Sequence, residues 1–356
     1  MNAERPTINV IEKNPYLPQP FVLTEVAICL RDAIRAAGYA SEHLVNHIDP
    51  AAYSIVLGGS PALEKELPHL DRERCAIFNF EQLGSTSNLA GPQYRAWLAH
   101  WLVLDYHASN VELLKRENGP AQRAFELPLV PSANLVTTGD EPKSVDVLFY
   151  GTMSDRRSRV IAQLESMGLK VEVVAGAYGH ELAPAVRRAK LVLHVHFYEQ
   201  ALFPVARVLQ PVMMGVPVVC ETSVFSELND WSHSGVVFAH YAHLAETCRD
   251  LLDAPERMVQ RARLSRDFVQ HIDFAKPFER VVRAFETQAT KREDGALTDA
   301  EIEAILAAEG ASPPEADQPA PQLQVIRREP GQGRFGAWLA WLLVLFMIAG
   351  AIKAYF

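Results

Sequence analysis

The sequence predicts an α/β protein of two lobes, each a parallel sheet covered by helices on both faces, followed by a linker and one C-terminal membrane helix. Three observations carry this. Short β-branched runs alternate with amphipathic segments through residues 1–140. The same alternation repeats in residues 141–291 with a unit length of about 20–25 residues, the spacing of βαβ units. Finally, Phe335–Ile352 (FGAWLAWLLVLFMIAGAI) runs without a single charge.

In the first lobe, residues 1–140, Thr7–Ile11, Tyr53–Leu57, Cys75–Phe80 and Trp101–Asp105 read as strands. Between them Thr24–Ala37 (TEVAICLRDAIRAA) places apolar residues at helical spacing and ends at Gly38, a helix stop. In the second lobe, residues 141–291, the strands are Val145–Tyr150, Lys170–Ala175, Leu191–Phe197, Pro217–Cys220 and Val236–Ala239. The intervening helices are Arg156–Met167, Glu181–Ala189, Phe203–Met214 and Ala242–Leu252. Right-handed crossovers then give an open twisted sheet. Pro255–Lys291 reads as two packed helices with basic outer faces.

Residues 292–333 form the linker. Thr298–Ala308 is a short helix with Thr298 as its N-cap, and Gly310–Gly333, rich in Pro, Ala, Gln and Gly, is a tether without a core. Residues 334–356 are long enough to cross a hydrocarbon layer of about 30 Å. Trp338, Trp341, Tyr355 and Phe356 suit interfacial positions. Arg327, Arg328 and Arg334 precede the span and only Lys353 follows it, which keeps the main domains in the cytoplasm. The N-terminus has no apolar run of signal-peptide length.

Composition removes several function classes. A net charge of −9 argues against a protein that grips a phosphate backbone, so nucleic acid is not an expected partner. The four cysteines, Cys29, Cys75, Cys220 and Cys248, form no CxxC pair, which argues against a thiolate zinc site and reads as small core residues in a reducing compartment. The second lobe has neither GxGxxG nor GxxxxGK[ST], which disfavours dinucleotide dehydrogenases, nucleotide-sugar epimerases or reductases, and P-loop enzymes.

In an open parallel sheet, ligands bind beyond the carboxyl ends of the strands, so the residues just after each strand are the candidates. Gly151 ends the first strand of the second lobe and precedes a helix N-terminus, a place where backbone approaches phosphate. Arg156, Arg157 and Arg159 follow, and Arg157 is the candidate partner of a pyrophosphate, against the alternative of a solvated basic face. His194 and His196 alternate along one strand and share a face. No acidic or thiol partner accompanies them, so no metal site is expected. His196 and Tyr198 sit where a ligand hydrogen bond is available. Glu199, Arg207 and Glu221 make a consistent set: carboxylates for sugar or ribose hydroxyls and a guanidinium for phosphate, with surface ion pairs or caps as the alternative. In the first lobe, Glu81 and Asp105 are the candidate general bases, with His107 beside them.

These residues carry a resemblance. The stretch VDVLFYGTMSDRR…KVEVVAGAYGHEL…RRAKLVLHVHFYEQALFPVARVLQPVMMGVPVVCE resembles the donor lobe of glycosyltransferases with two Rossmann-like lobes, the GT-B fold, and in particular bacterial glycosyltransferase-like proteins. Phe78–Leu83 (FNFEQL) and Leu104-Asp105-Tyr106 with Ser109-Asn110 echo the same group, and the likeness covers most of residues 50–290. It implies a nucleotide-sugar donor held by the second lobe as co-substrate, with no further cofactor and no obligatory metal. It also implies a glycan, lipid-linked or protein acceptor near the first lobe, and a bacterial inner membrane as the home of the anchored enzyme. Gly151, Arg157, His196, Tyr198, Arg207 and Glu221 match the group's motif positions. One position departs: Pro204 stands where a glutamate is expected three residues before Arg207, and Glu199 is displaced from it. That departure leaves a second reading open, a catalytically inactive scaffold of the same fold tethered to a membrane.

Overall fold

The computed structural model describes residues 5–13, 23–57, 70–84, 90, 92–119, 121–199, 201–222, 231–290 and 324–327. In chain order, β1 (Ile8–Glu12) leads to α1 (Thr24–Ala36), β2 (His43–Val45), β3 (Tyr53–Leu57), β4 (Cys75–Asn79), α2 (Pro92–Leu98), β5 (Leu102–Asp105), α3 (Ala108–Asn118) and β6 (Ala124–Glu126). These strands form a parallel sheet in the order β2-β1-β3-β4-β5-β6. β1, β4 and β5 are buried along their whole length, as continuous apolar runs covered on both faces must be.

The second sheet contains β7 (Val145–Tyr150), β8 (Val171–Ala175), β9 (Ala189–His194), β10 (Val218–Glu221) and β11 (Val237–Ala239), with α4 (Asp155–Ser166), α5 (Ala183–Arg188), α6 (Val205–Met213) and α7 (Leu244–Leu252) between and after them. Its order is β11-β10-β9-β7-β8, continued by β12 (Gln324–Arg327). The strands from β7 to β11 are parallel. α8 (Pro255–Gln270) and α9 (Ala275–Thr290) follow. One apolar cluster covers the outer face of each sheet, and a third runs without interruption from Ile8, Leu57 and Phe78 of the first lobe to Leu148, Val205 and Phe278 beyond it. The two lobes therefore share a core.

Three sequence expectations are corrected. α9 was assigned to the second lobe as the partner of α8, yet it docks on the first: Phe285 stacks on Tyr53 at 4.8 Å and Phe278 meets Tyr39 edge-on at 5.5 Å. The aromatic residues at helical spacing in α9 find their complement there, whereas α8 packs against α6 and α7. Part of the presumed tether is a strand, since β12 pairs antiparallel with β8 (Val325 opposite Val174). Backbone pairing on an open sheet edge needs no apolar side chains, so Pro/Gln-rich composition did not reveal it. The strand expected over Leu191–Phe197 stops at His194.

The expected helix at Thr298–Ala308 and the membrane span at 334–356 lie outside the described residues. Among the described residues no helix is long and apolar enough to cross a membrane.

Candidate functional site

The carboxyl ends of β7, β9 and β10 converge on three arginines with different fates. β7 ends at Tyr150, and Gly151 follows with φ +125°, a conformation that L side chains rarely adopt. A Cβ at this position would lie 2.8 Å from Arg207 Nη1 and 3.7 Å from Arg157 Nη1. Glycine therefore lets two guanidinium groups close over the end of the strand. Arg207, in the first turn of α6, is held by reciprocal contacts with the strand: its Nη1 donates to the Tyr150 carbonyl at 3.4 Å, and the Tyr150 hydroxyl donates to the Arg207 carbonyl.

Arg157 is almost completely buried at the start of α4, whose N-cap is Ser154. Its Nε donates to the Val195 carbonyl at 2.9 Å and its Nη1 to the Thr152 carbonyl at 2.5 Å, with the rings of Phe149 and Phe197 beside it. Burial, and then the neighbouring charge of Arg207, pull its pKa down to about 10. Neither Arg157 nor Arg207 has an ion-pair partner among the described residues.

Arg156 is engaged differently. It grips Glu221 at the end of β10 with both terminal nitrogens, one contact being 2.6 Å, and lies 4.0 Å from the centre of the Tyr241 ring. The same Glu221 carboxylate accepts the His196 backbone N–H at 2.9 Å. Glu221 was expected to hold ligand hydroxyls; in the structure it is buried and serves as the clasp that joins β10, α4 and the end of β9. His196 is also buried, its Nε2 has no hydrogen-bond partner among the described residues, and burial holds its pKa down to about 4, so the ring is neutral. His194 stands edge-to-face with it at 5.4 Å, on the same face, and burial likewise holds its pKa well below the ordinary imidazole value. The described residues contain no cluster of His, Cys, Asp or Glu able to hold a metal. Tyr198 is half-buried and Glu199 exposed beyond the strand end, where the charge of Glu199 reaches Arg156. Pro204, in place of the expected glutamate, is the N-cap of α6 and supplies no side-chain hydrogen bond.

The first lobe faces this site with acidic groups. Glu25, in the first turn of α1, accepts the backbone N–H of Gly179 from the opposite lobe. Burial raises its pKa to about 7, although the Gly179 bond and the charge of Arg207 both oppose the rise. Glu12 at the end of β1 accepts from the Leu23 N–H at 3.2 Å and the Thr24 hydroxyl at 3.1 Å, and His43 Nε2 lies 3.2 Å away. Two further contacts bridge the lobes: Gln82 accepts the Leu202 N–H at 3.0 Å, and Gln210 Nε2, which also donates to Gly179 of its own lobe at 2.9 Å, donates to the Leu135 carbonyl at 3.4 Å.

Asp105 is corrected from candidate base to internal hub. It is fully buried, and its carboxylate accepts from Asn79 Nδ2 at 2.6 Å, Asn110 Nδ2 at 2.9 Å and the His107 N–H at 2.8 Å. Both asparagines also donate to the Glu81 carbonyl, at 2.9 and 3.1 Å, and Tyr94 donates to Asn79. This network shapes the turn that carries Glu81, which is half-buried and remains placed at the strand end. His107 is buried as the N-cap of α3 and accepts from the Ser109 N–H. Sequence reasoning missed Glu25 and did not single out Arg156 as the partner of Glu221. Glu25 was findable, because it opens the helix that follows β1, the position the strand-end rule selects. Arg156 was seen as one of three neighbouring arginines, but nothing in the sequence tells which of them meets Glu221.

No protein-family profile matches the chain. In sequence it is similar to two uncharacterized proteins of Acanthamoeba polyphaga mimivirus. L138 is 34% identical over 212 residues, which is 57% of this chain and 23% of L138; L140 is 25% identical over 180 residues, 47% of this chain and 58% of L140. The chain thus matches only part of each of these viral relatives, and none of them is bacterial. In structure it is similar to sucrose-phosphate synthase from Thermosynechococcus elongatus, with a TM-score of 0.54 and 12% identity over 79% of this chain and 99% of that one. It is also similar to Anabaena HepE solved with UDP-glucose, with a TM-score of 0.53 and 11% identity over 80% of this chain and 100% of that one. The likeness to these glycosyl-transferring proteins establishes the fold: two Rossmann-like lobes of the GT-B kind.

Proposed function

We propose that the chain is a glycosyltransferase that takes a sugar from a nucleotide-linked donor. The observation that carries this reading is the pair Arg157 and Arg207, two guanidinium groups without ion-pair partners among the described residues, which meet over Gly151 at the carboxyl end of β7. In a partly dry cleft such fixed cations favour a diphosphate, and they are able to stabilise the charge that develops on it as the sugar leaves. Arginine charge would do this work without an obligatory metal. The fold shared with HepE, solved with UDP-glucose, supports a nucleotide sugar as the donor. Glu81, at the end of β4 on the facing lobe, is the candidate base for the acceptor hydroxyl. We further propose that residues 334–356 hold the enzyme at a membrane, with the two lobes on the cytoplasmic side, where a lipid-linked or surface-bound glycan acceptor would be concentrated around it.

Calorimetry with UDP, GDP and ADP tests the reading. At least one diphosphate should bind, and Arg207→Gln should weaken it tenfold or more. Absence of binding by any of them would favour the second reading, a non-catalytic scaffold. Two observations favour that alternative: Pro204 in place of a carboxylate, and Glu221 tied to Arg156.

A further inference from the structure

A cavity of about 390 Å³ opens between the lobes beside the first turn of α6. Its first-lobe wall is Tyr106, just past β5, with Glu126, Pro128 and Leu129 at and beyond the end of β6. Its other wall is Val205, the first residue of α6, with Trp231, Phe268 and the α8–α9 turn at His271–Asp273. The same short helix therefore borders this cavity with its first residue and carries Arg207 two residues later.

We propose that this cavity is the acceptor subsite and takes a neutral, polyhydroxylated ring, a sugar residue. The proposal rests on the glycosyltransferase reading above. Its volume falls within the range of about 300–1,000 Å³ usual for small-molecule sites. Three aromatic side chains, Tyr106, Trp231 and Phe268, offer apolar surface to the C–H faces of a ring, and Trp231 and Phe268 are fixed against each other at 5.0 Å. Tyr106 is only 8% exposed, yet its hydroxyl makes no hydrogen bond to the described residues. A phenolic hydroxyl on the cavity wall can both donate to and accept from a ligand oxygen. Two carboxylates, Glu126 and Asp273, line the cavity with one imidazole, His271. Carboxylates accept from sugar hydroxyls and repel anions. The cavity thus has the opposite character to the arginine site at Gly151: one end of the cleft is suited to a diphosphate and the other to an uncharged ring.

The test is saturation-transfer NMR and Trp fluorescence on the full chain with methyl glycosides, comparing neutral hexosides with uronates, each with and without UDP. Neutral glycosides should bind and uronates should bind at least fivefold more weakly. Tyr106→Phe and Glu126→Gln, which keep ring and shape, should each weaken the neutral glycoside fivefold or more while the affinity for UDP stays within twofold. Melting temperatures of both variants would establish that they fold. Glycoside binding that ignores both substitutions, prefers uronates, or fails to occur in a chain that binds UDP overturns the subsite and leaves the donor reading intact. Glycoside binding that responds to the variants in a chain that binds no nucleoside diphosphate overturns the acceptor role together with the donor reading.

Discussion

Glu25 of the first lobe accepts the backbone N–H of Gly179 of the second, and so places a carboxylate of one lobe within the field of Arg207 on the other. The groups around it are Glu12 on β1, with His43 bonded to it, Cys29 on its own helix, and Tyr150, Tyr178 and Arg207 from the second lobe. Burial holds its pKa at about 7, against 4.5 for the ordinary group. Between those values the folded chain keeps a proton that the unfolded chain has released. Glu25 therefore leaves stability undiminished below the lower value and subtracts from it as pH rises towards the upper one. Glu25→Gln, which keeps the acceptor for Gly179, should match the parent protein near pH 4.5 and exceed it above pH 7 by up to about 3 kcal/mol. Urea unfolding across this range reads the difference, and a gap that does not grow with pH would refute the assignment.

Gly151→Ala should damage both binding and stability. The backbone at φ +125° disfavours any side chain, and the new methyl would meet Arg207 Nη1 at 2.8 Å. The expected loss is about 1–3 kcal/mol in unfolding free energy. Diphosphate affinity should drop tenfold or more as the guanidinium is displaced. Calorimetry showing parental affinity in this variant would separate Arg207 from the anion site.

The Arg156–Glu221 clasp is a two-pronged ion pair between a partly exposed arginine and a buried carboxylate, which also holds the end of β9 through His196. Removing one partner strands the other, so Arg156→Met or Glu221→Leu alone should cost about 3–5 kcal/mol. The double substitution should cost clearly less than the sum of the two, because no buried charge remains. A denaturation-based double-mutant cycle with additive losses would show that the two side chains act independently.

Asp105→Asn tests the hub. The native carboxylate receives three N–H donors, and an amide there must turn an N–H₂ group towards at least one of them. Stability should fall by about 1–3 kcal/mol for the stranded group. UDP affinity should change less than threefold, since the hub supports the Glu81 turn and lies away from the arginine site. A large loss of UDP affinity at parental stability would return Asp105 to the binding site.

How far the chain could be read in advance follows from its particular residues. β3 and β7 were placed to the residue, since Tyr53–Leu57 and Val145–Tyr150 are apolar runs bounded by turn-forming neighbours. α1 was legible from its apolar spacing and the glycine after it. Gly151, Arg157 and Arg207 were singled out from strand ends alone, and the structure does bring them together. Glu221 and Asp105 were singled out by the same rule, but both are turned inward, each onto at least one donor far off in the chain: Arg156 is 65 residues from Glu221, and Asn79 is 26 residues from Asp105. β12 was missed because an edge strand is specified by its neighbour's free backbone groups rather than by its own side chains.

The sequence by itself determined the alternation of strands and helices, the two sheets, and the list of polar residues that stand at strand ends, because hydrophobic periodicity and turn chemistry are local properties of the chain. Only the tertiary structure decided which of those polar residues remain available to a ligand. Arg156 and Arg157 are adjacent in sequence, yet one is paired with Glu221 and the other, like Arg207, has no ion-pair partner among the described residues. That division depends on which distant partner each side chain meets, and so on long-range packing that no local pattern encodes.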